Sequence, residues 1–480
     1  MNHHIRSRFH LLSRVVVSLF MLLGLGVMGP IRAETKWIRM RTANFEVYSS
    51  IGERQTRNTL KYFEQVREFF IKLNGREPKS PAPAFIVIFG NRKDAEAAGM
   101  KPSTFGYFAP IGDRDYLVLY QPGDFASENA THEYTHLITS HSGLRYPVWL
   151  NEGLAEFFST FTVLNNSVTI GDPIPGRVLA LRKNKWVPLS VIMSADENSP
   201  YYRDPELNDS LYNEGWAAVH LLYTFKDYRP KFPTFLTEMS KGKSVDEVLQ
   251  DIYGKSLSEF EAELRVYISQ NEFAHLVAKF EIDRSKKDAA AEPAPPFDLQ
   301  LALSDVDVRS NASADHRKIL EELKNQNPKR PEPWSGLAYL DLRERKTANA
   351  FDNFTHAYSL GSRTSRLLWD YGRMAQGSRP DDSVKALAEL ATMEPARVDV
   401  RIELAWSQYN AKKFDEALKT LNGITIENLD QAPRFFSALA LTQLATGDRT
   451  AASRTTDILV RYAKTDNDRA MVDRIRRALQ

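Results

Sequence analysis

His132-Glu133-Tyr134-Thr135-His136, taken with Trp149-Leu150-Asn151-Glu152-Gly153-Leu154-Ala155-Glu156, decides how the first half of this chain folds and what it holds. On a helix, histidines at i and i+4 share one face a turn apart, so His132 and His136 can converge on one metal ion. Glu133 lies beside them. A carboxylate that stays off the metal can take a proton from a water that zinc has acidified from ~15.7 toward ~7. A hydrolytic zinc needs a third protein ligand and one open position, and Glu152 is the candidate. Asn151, after the extended Tyr146-Pro147-Val148-Trp149-Leu150, reads as an N-cap. That predicts Glu152 in the first turn of a new helix, with Glu156 one turn on along the same face. Glu156 is then expected behind the ligands, accepting the remaining N–H of a ligand histidine and raising its basicity.

The pair of motifs resembles that of the gluzincin metallopeptidases, whose second motif reads NExxxD or WLNEGFA. Residues 37–270, roughly, are similar in layout. Within that superfamily the chain looks most like bacterial peptidase-MA-like domains fused to helical repeats. The resemblance implies one zinc ion per chain on His132, His136 and Glu152, with Glu133 as general base. The stretch Leu211-Tyr212-Asn213-Glu214-Gly215-Trp216 is similar to the Tyr-x-x-Gly helix start of aminopeptidase-like members, which implies that Tyr212 steadies the oxyanion. One such donor contributes about 2.7–4 kcal/mol; a helix-packing aromatic is the other reading of Tyr212. Gly106-Tyr107-Phe108-Ala109-Pro110 departs from the family's amine-binding Gly-x-Met-Glu-Asn segment, so exopeptidase action is not supported. Thr104 to Ala109 and Asp115 to Tyr120 read instead as two strands joined by a turn at Pro110-Ile111-Gly112-Asp113, and an edge strand there can pair with an extended peptide.

His141 does not extend the ligand set, because a metzincin pattern needs Gly at 139 and His or Asp at 142, where the chain has Thr139 and Ser142. It reads as a last-turn histidine before a Gly143 stop. His220, two turns beyond Tyr212, reads as packed or exposed, with the cleft as the alternative.

Around the motifs, Asn44 to Tyr48 alternates as a strand, Arg54 to Leu73 has helical periodicity ended by Gly75, Ala84 to Phe89 is a buried strand, and Phe260 to Ile268 closes the unit. The expected fold is an α+β gluzincin-like metallopeptidase domain over residues 34–283, followed by an all-α tetratricopeptide-type solenoid over 297–480. Between them, 284–296, including Lys286 to Pro296, has the charge, alanine and proline of an exposed linker. Beyond it Trp334, Leu337, Ala338, Ala350, Phe354 and Ala357 fall on tetratricopeptide positions counted from Pro331, and Leu404, Ala405, Ala417 and Leu421 repeat them from Val398. The period is about 34 residues, with weaker copies near Thr364 and Pro433 and a degenerate first copy at 297–330, for five helix pairs.

Arg6, Arg8 and Arg14 precede an apolar run from Val15 to Met28 and a polar Glu34-Thr35-Lys36, the layout of a signal peptide over 1–33. The run falls short of the ~20 residues of a membrane-crossing helix, so cleavage after Ala33 and export to a bacterial periplasm are expected. Retention in the inner membrane by an uncleaved segment is the alternative, and the only source of membrane contact. The chain has no cysteine, so each domain must be stable through its core. Its 63 basic and 61 acidic residues give a net charge of +2, which gives no reason to expect nucleic acid as a partner. Two functions compete: an exported zinc endopeptidase acting on a peptide or protein, whose repeats recruit substrate or a protein partner, and a repeat-based envelope adaptor whose zinc domain is structural or inactive.

Overall fold

The structure is a computed structural model that describes residues 36–74, 83–102, 104–121, 127–164, 166–280, 289–307, 313–426 and 428–480. The expected leader and the Gly75 helix stop lie outside the described residues. The first domain is built on a six-stranded sheet: β1 (Ile38–Arg41), β2 (Phe45–Ser49), β3 (Ala84–Phe89), β4 (Gly106–Ile111), β5 (Arg114–Tyr120) and, from beyond the domain's expected end, β9 (Ala291–Pro293), in the order β4-β5-β3-β2-β1-β9. β2, β3 and β5 run parallel; β4 and β1 are antiparallel to their neighbours. Helix α1 (Glu53–Asn74) crosses from β2 to β3, and α2 (Arg92–Ala97) leads toward the β4–β5 hairpin. Ala84-Phe85-Ile86-Val87-Ile88-Phe89 is apolar throughout because both faces of β3 are covered. Ile86 and Ile88 pack with Val47, Phe63 and Tyr134 on one side, and Val87 and Phe89 pack with Tyr48 and Tyr116 on the other.

The hairpin turn is tighter than the sequence suggested. Pro110 and Ile111 belong to β4, and only Gly112-Asp113 turns, with Gly112 at φ +57°, a left-handed conformation that glycine takes at no steric cost. After β5 come α3 (Ser127–His141) and α4 (Val148–Ser159). A second, three-stranded sheet follows, β6 (Thr162–Leu164), β7 (Ser167–Ile170) and β8 (Leu276–Lys279) in that order. Helices α5 (Pro175–Lys183), α6 (Asn208–Thr224), α7 (Phe232–Met239), α8 (Val245–Tyr253) and α9 (Leu257–Ser269) complete the domain, with two single-turn helices between α5 and α6. α3 ends as its sequence dictates, with Gly143 left-handed at φ +76°.

The described part of the expected linker is structured. Ala291 to Pro293 add to the free edge of β1, and Arg39 reaches Glu292 and Asp298 across the junction. An edge position tolerates Pro293, which has no N–H to give, so composition alone misled. Helix α10 (Pro296–Asp307) then lays Ala302 and Val306 against Tyr48, Val87 and Tyr107 on the sheet. Its other side packs Leu301 against Leu320 of α11 (Ser313–Gln326) and Leu337 of α12 (Glu332–Arg343). A first repeat with two partners to satisfy cannot keep the repeat's consensus, which is why its copy reads as degenerate.

Four further helix pairs follow. α12 pairs with α13 (Thr347–Ser359), α14 (Ser365–Ala375) with α15 (Pro380–Met393), α16 (Val398–Asn410) with α17 (Phe414–Leu421), and α18 (Ala432–Ala445) with α19 (Arg449–Tyr462); α20 (Asp466–Leu479) closes the array. Ala338, Ala350, Ala405, Ala417, Ala440 and Ala452 are fully buried, so small residues sit where paired helices come closest.

In the first domain α4 and α6 cross with their backbones in close contact. A β-carbon on Gly153 would stand 2.5 Å from the carbonyl oxygen of Gly215, and one on Gly215 would stand 2.8 Å from that of Trp149. The nearest obstacle in each case is backbone, which cannot give way as a flexible side chain can, and Val219 Cγ2 also stands 2.8 Å from a β-carbon on Gly153. Gly153→Ala is therefore expected to cost ~1–3 kcal/mol through overpacking. A thermal melt of the variant would show a clear drop in Tm; an unchanged Tm would mean that the two helices can separate freely.

Candidate metal centre

α3, α4 and α6 bring the predicted residues to one place. The Nε2 atoms of His132 and His136 lie 3.1 Å apart, and Glu152 Oε2 is 3.4 Å from each. Around an ion with bonds of ~2.0–2.1 Å, the edge of a tetrahedron is about 3.3–3.4 Å, so these atoms stand as three corners of one. Glu152 is buried and its Oε2 has no hydrogen-bond partner, a costly state for a carboxylate unless a cation meets it. Burial pushes the Glu152 carboxyl up, but His136 and His132 outweigh it and hold the group well below its ordinary range. The residues present therefore fit a zinc ion, with one corner left over.

Each imidazole is fixed from behind. His132 Nδ1 lies 3.3 Å from Glu156 Oε1, and His136 Nδ1 lies 3.1 Å from the Asn151 amide. Asn151 Oδ1 otherwise sits buried without a partner, so we orient that amide with its oxygen toward the ring. Both Nδ1 atoms then donate outward and both Nε2 lone pairs face the centre. This corrects the expected N-cap. α4 begins at Val148, after Pro147 at φ −60°, with no side-chain cap. The proline's fixed φ already suits a helix start, so the helix begins earlier, Glu152 falls in its second turn, and Asn151 is free to meet His136.

Glu156 occupies its expected place and has a partner that the sequence did not announce. Arg177 of α5 grips both its oxygens, Nε to Oε2 at 2.7 Å and Nη2 to Oε1 at 2.7 Å. Burial pushes the Glu156 carboxyl up, but His132 and Arg177 keep it below its usual range, hence ionised. Arg177 also donates to Asn213 Oδ1 at 2.9 Å and lies 5.6 Å from the Tyr212 ring centre. It thus links Glu156, behind His132, to the α6 turn that carries Tyr212. The Tyr212 ring is 6.4 Å from that of His132, and burial together with nearby Glu152 pushes its phenol far up, so it keeps its proton and can donate.

Glu133 faces the outer edge of β4. Its Oε2 accepts the Phe108 N–H at 2.7 Å, and Gly106 comes so near that a β-carbon there would lie 3.3 Å from Glu133 Cγ. The Tyr120 N–H bonds to the Phe105 carbonyl, so in the alternation of an antiparallel pair Gly106, Phe108 and Pro110 turn their backbone groups away from β5. Pro110, with no N–H, suits that outward position. The sequence located the edge strand but carried no sign that its backbone steadies Glu133.

Neither His141 nor His220 joins the centre. His141 Nε2 bonds to Asp115 Oδ2 at 2.7 Å. His220 is fully buried between the Tyr267 hydroxyl at 2.7 Å and the Gly171 carbonyl at 2.8 Å, and burial lowers its pKa to about 4.

A sequence model of the tetratricopeptide repeat matches residues 374–442. No curated protein matches the chain. Among solved structures, YrrB, a tetratricopeptide protein described as having an unusual peptide-binding site, is 14% identical, with a TM-score of 0.32 over 38% of this chain and 99% of its own. PilF of Pseudomonas aeruginosa is 16% identical, with a TM-score of 0.25 over 37% and 88%. A thermophilic tetratricopeptide protein of Thermus thermophilus is 18% identical, with a TM-score of 0.22 over 38% and 98%. By the sequence match, residues 374–442 carry tetratricopeptide repeats, a class that points to contact with proteins or peptides.

Two outcomes follow from these contacts. Glu156→Gln, which cannot accept as a carboxylate or hold Arg177 by charge, is expected to weaken zinc binding ~10–100-fold in competition with a chromophoric chelator; unchanged affinity would remove Glu156 from its supporting role. Glu214, buried on α6, takes the Val187 N–H on one oxygen and has no partner for the other, and burial raises its pKa to about 8. Folded protein thus keeps this proton over a range where the unfolded chain, near 4.5, has lost it. The stability it contributes is complete below about 4.5 and is lost as pH rises to about 8. Glu214→Gln should accordingly gain in Tm over wild type across that window, and a pH-independent difference would contradict the assignment.

Proposed function

We propose that the chain is an exported zinc-dependent endopeptidase. The observation that carries this reading is the triangle of His132 Nε2, His136 Nε2 and Glu152 Oε2, with the Tyr212 ring 6.4 Å from that of His132 and Glu133 next to His132 in the chain. When bound, zinc supplies Lewis acidity, which polarises a carbonyl and lowers the pKa of a water toward ~7.

The chain's own groups do the rest. Glu133 takes the water proton and passes it to the leaving amine; with Oε2 held by the Phe108 N–H, its other oxygen is the one free to act. The Tyr212 phenol donates to the oxygen that gains charge as the carbonyl is attacked. Glu156 and Asn151 keep the imidazoles in the tautomer that binds metal. An extended substrate pairs with the outward backbone groups of Gly106, Phe108 and Pro110, which lie beside Glu133, so the cut falls within a chain rather than at a captured terminus. Support for an endopeptidase over an aminopeptidase is that this strand carries no carboxylate to receive a free amine.

Support for export is the N-terminal sequence, Arg6 to Ala33, with its arginines ahead of a short apolar run. The repeats favour a protein or peptide partner, and the adaptor reading is the one that remains if the zinc domain proves inert. Zinc-loaded protein is expected to cut an unfolded substrate such as casein, and Glu133→Gln to keep its zinc while losing at least ~10³-fold in rate. Wild-type turnover in the variant would remove Glu133 from the chemistry. A zinc-loaded wild type that cuts no unfolded protein or peptide would leave the adaptor.

A further inference from the structure

The outer edge of β4 does not stop at the metal centre. From Phe108, whose N–H holds Glu133, the strand runs on through Pro110 to the Gly112 turn, and over that length it forms one wall of a cleft of about 630 Å³. The opposite wall belongs to the repeats. Gly336, Tyr339, Leu340 and Arg343 line it, at the i, i+3, i+4 and i+7 spacing of one face of α12, and His316 of α11 stands beside them. At ~3.3 Å per residue, the run from Phe108 to Gly112 carries the cleft about 13 Å along the strand, the length of a bound peptide's next few residues.

Two polar groups in this cleft have unused capacity. His316 is 5% exposed, and its Nε2 bonds to Asp305, whose carboxylate also takes Arg114 and the Tyr116 hydroxyl. Its Nδ1 is buried and has no hydrogen-bond partner among the described residues. Arg343 is exposed at the cleft, and no hydrogen bond or ion pair engages its guanidinium among the described residues. The other charges on these walls are engaged: Arg114 with Asp305, and Asp113 with the Thr364 hydroxyl.

We infer that the first repeats form the second half of the substrate cleft, and that Arg343 selects extended polypeptides carrying a carboxylate about three to five residues from the bond that is cut. This rests on the peptidase reading for the position of that bond. The bound chain pairs its N–H groups with the outward carbonyls of Phe108 and Pro110 and passes between β4 and α12, where Arg343 meets its carboxylate in the bidentate geometry that suits a guanidinium. The repeats then act in the same molecule, as a specificity wall, rather than only as a hook for a separate partner.

The test has two arms. In the first, zinc-loaded protein cuts a proteome-derived peptide library and the sites are read by mass spectrometry. Asp and Glu should be enriched at one position about three to five residues from the cut, Arg343→Glu should reverse that preference to Lys and Arg, and Arg343→Lys should retain it weakly. Amidating the peptides separates a side-chain carboxylate from a terminal one. A site preference that is the same in wild type and Arg343→Glu overturns the inference and leaves the peptidase standing. In the second arm, zinc-loaded Glu133→Gln binds fluorescein-labelled dodecapeptides of an Ala/Val/Thr background that carry one Glu or, as control, one Lys. The Glu peptides should bind at least about ten-fold more tightly, and the Arg343→Glu change should abolish the difference. Charge-dependent binding from a wild type that cuts nothing would sink the peptidase reading and keep the cleft, whereas binding indifferent to charge sinks the cleft.

Discussion

The close crossing of α4 and α6 is the constraint on which the site depends. Because Gly153 and Gly215 let the two backbones touch, Glu152 and Glu156 on one helix and Tyr212 on the other open toward the same small volume. α3 then needs only to present His132 and His136 to that volume, and the three ligand atoms meet. A bulkier residue at either glycine would move Glu152 and the Tyr212 phenol apart.

The β4–β5 hairpin ties this centre to the repeats. Asp115, at the start of β5, bonds both to His141 at the end of α3 and to Arg366 at the start of α14. Arg366 also donates to the carbonyls of Gly112 and Arg114, and the Tyr339 ring sits where a β-carbon on Gly112 would fall, 3.1 Å away. Buried Asp305 of α10, held below its ordinary pKa by Arg114 against the effect of burial, fastens the same hairpin from beneath. The solenoid is thus not a separate module on a tether. It grips the hairpin whose other strand steadies Glu133.

Much of this was legible in the sequence, and the reasons are specific. That His132, His136 and Glu152 come together could be read because helical spacing fixes which side chains share a face, and the repeats because their small residues recur at positions where helices must approach. What escaped depended on contacts between segments distant in the chain. Arg177 meets Glu156 across a helix boundary with no shared motif, and the Phe108 N–H reaches Glu133 from a strand whose alternation alone cannot say which edge is free. Asn151 was misread because its residue type suits a cap, while Pro147 had already set the helix start. The linker was misread because alanine and proline describe an exposed segment well, whereas Ala291 to Pro293 gain their partners only from β1. The degenerate first repeat recorded the same fact from the other side, since α10 packs on the sheet as well as on its neighbour.

Whether His132, His136 and Glu152 share one ion is measured most directly by metal content, by elemental mass spectrometry after dialysis, for wild type and for Glu152→Ala. About one zinc per chain in the wild type, lost or strongly weakened in the variant, is the predicted result. A wild type that holds no zinc even after reconstitution, or a variant that holds it as well as the wild type does, would contradict the account.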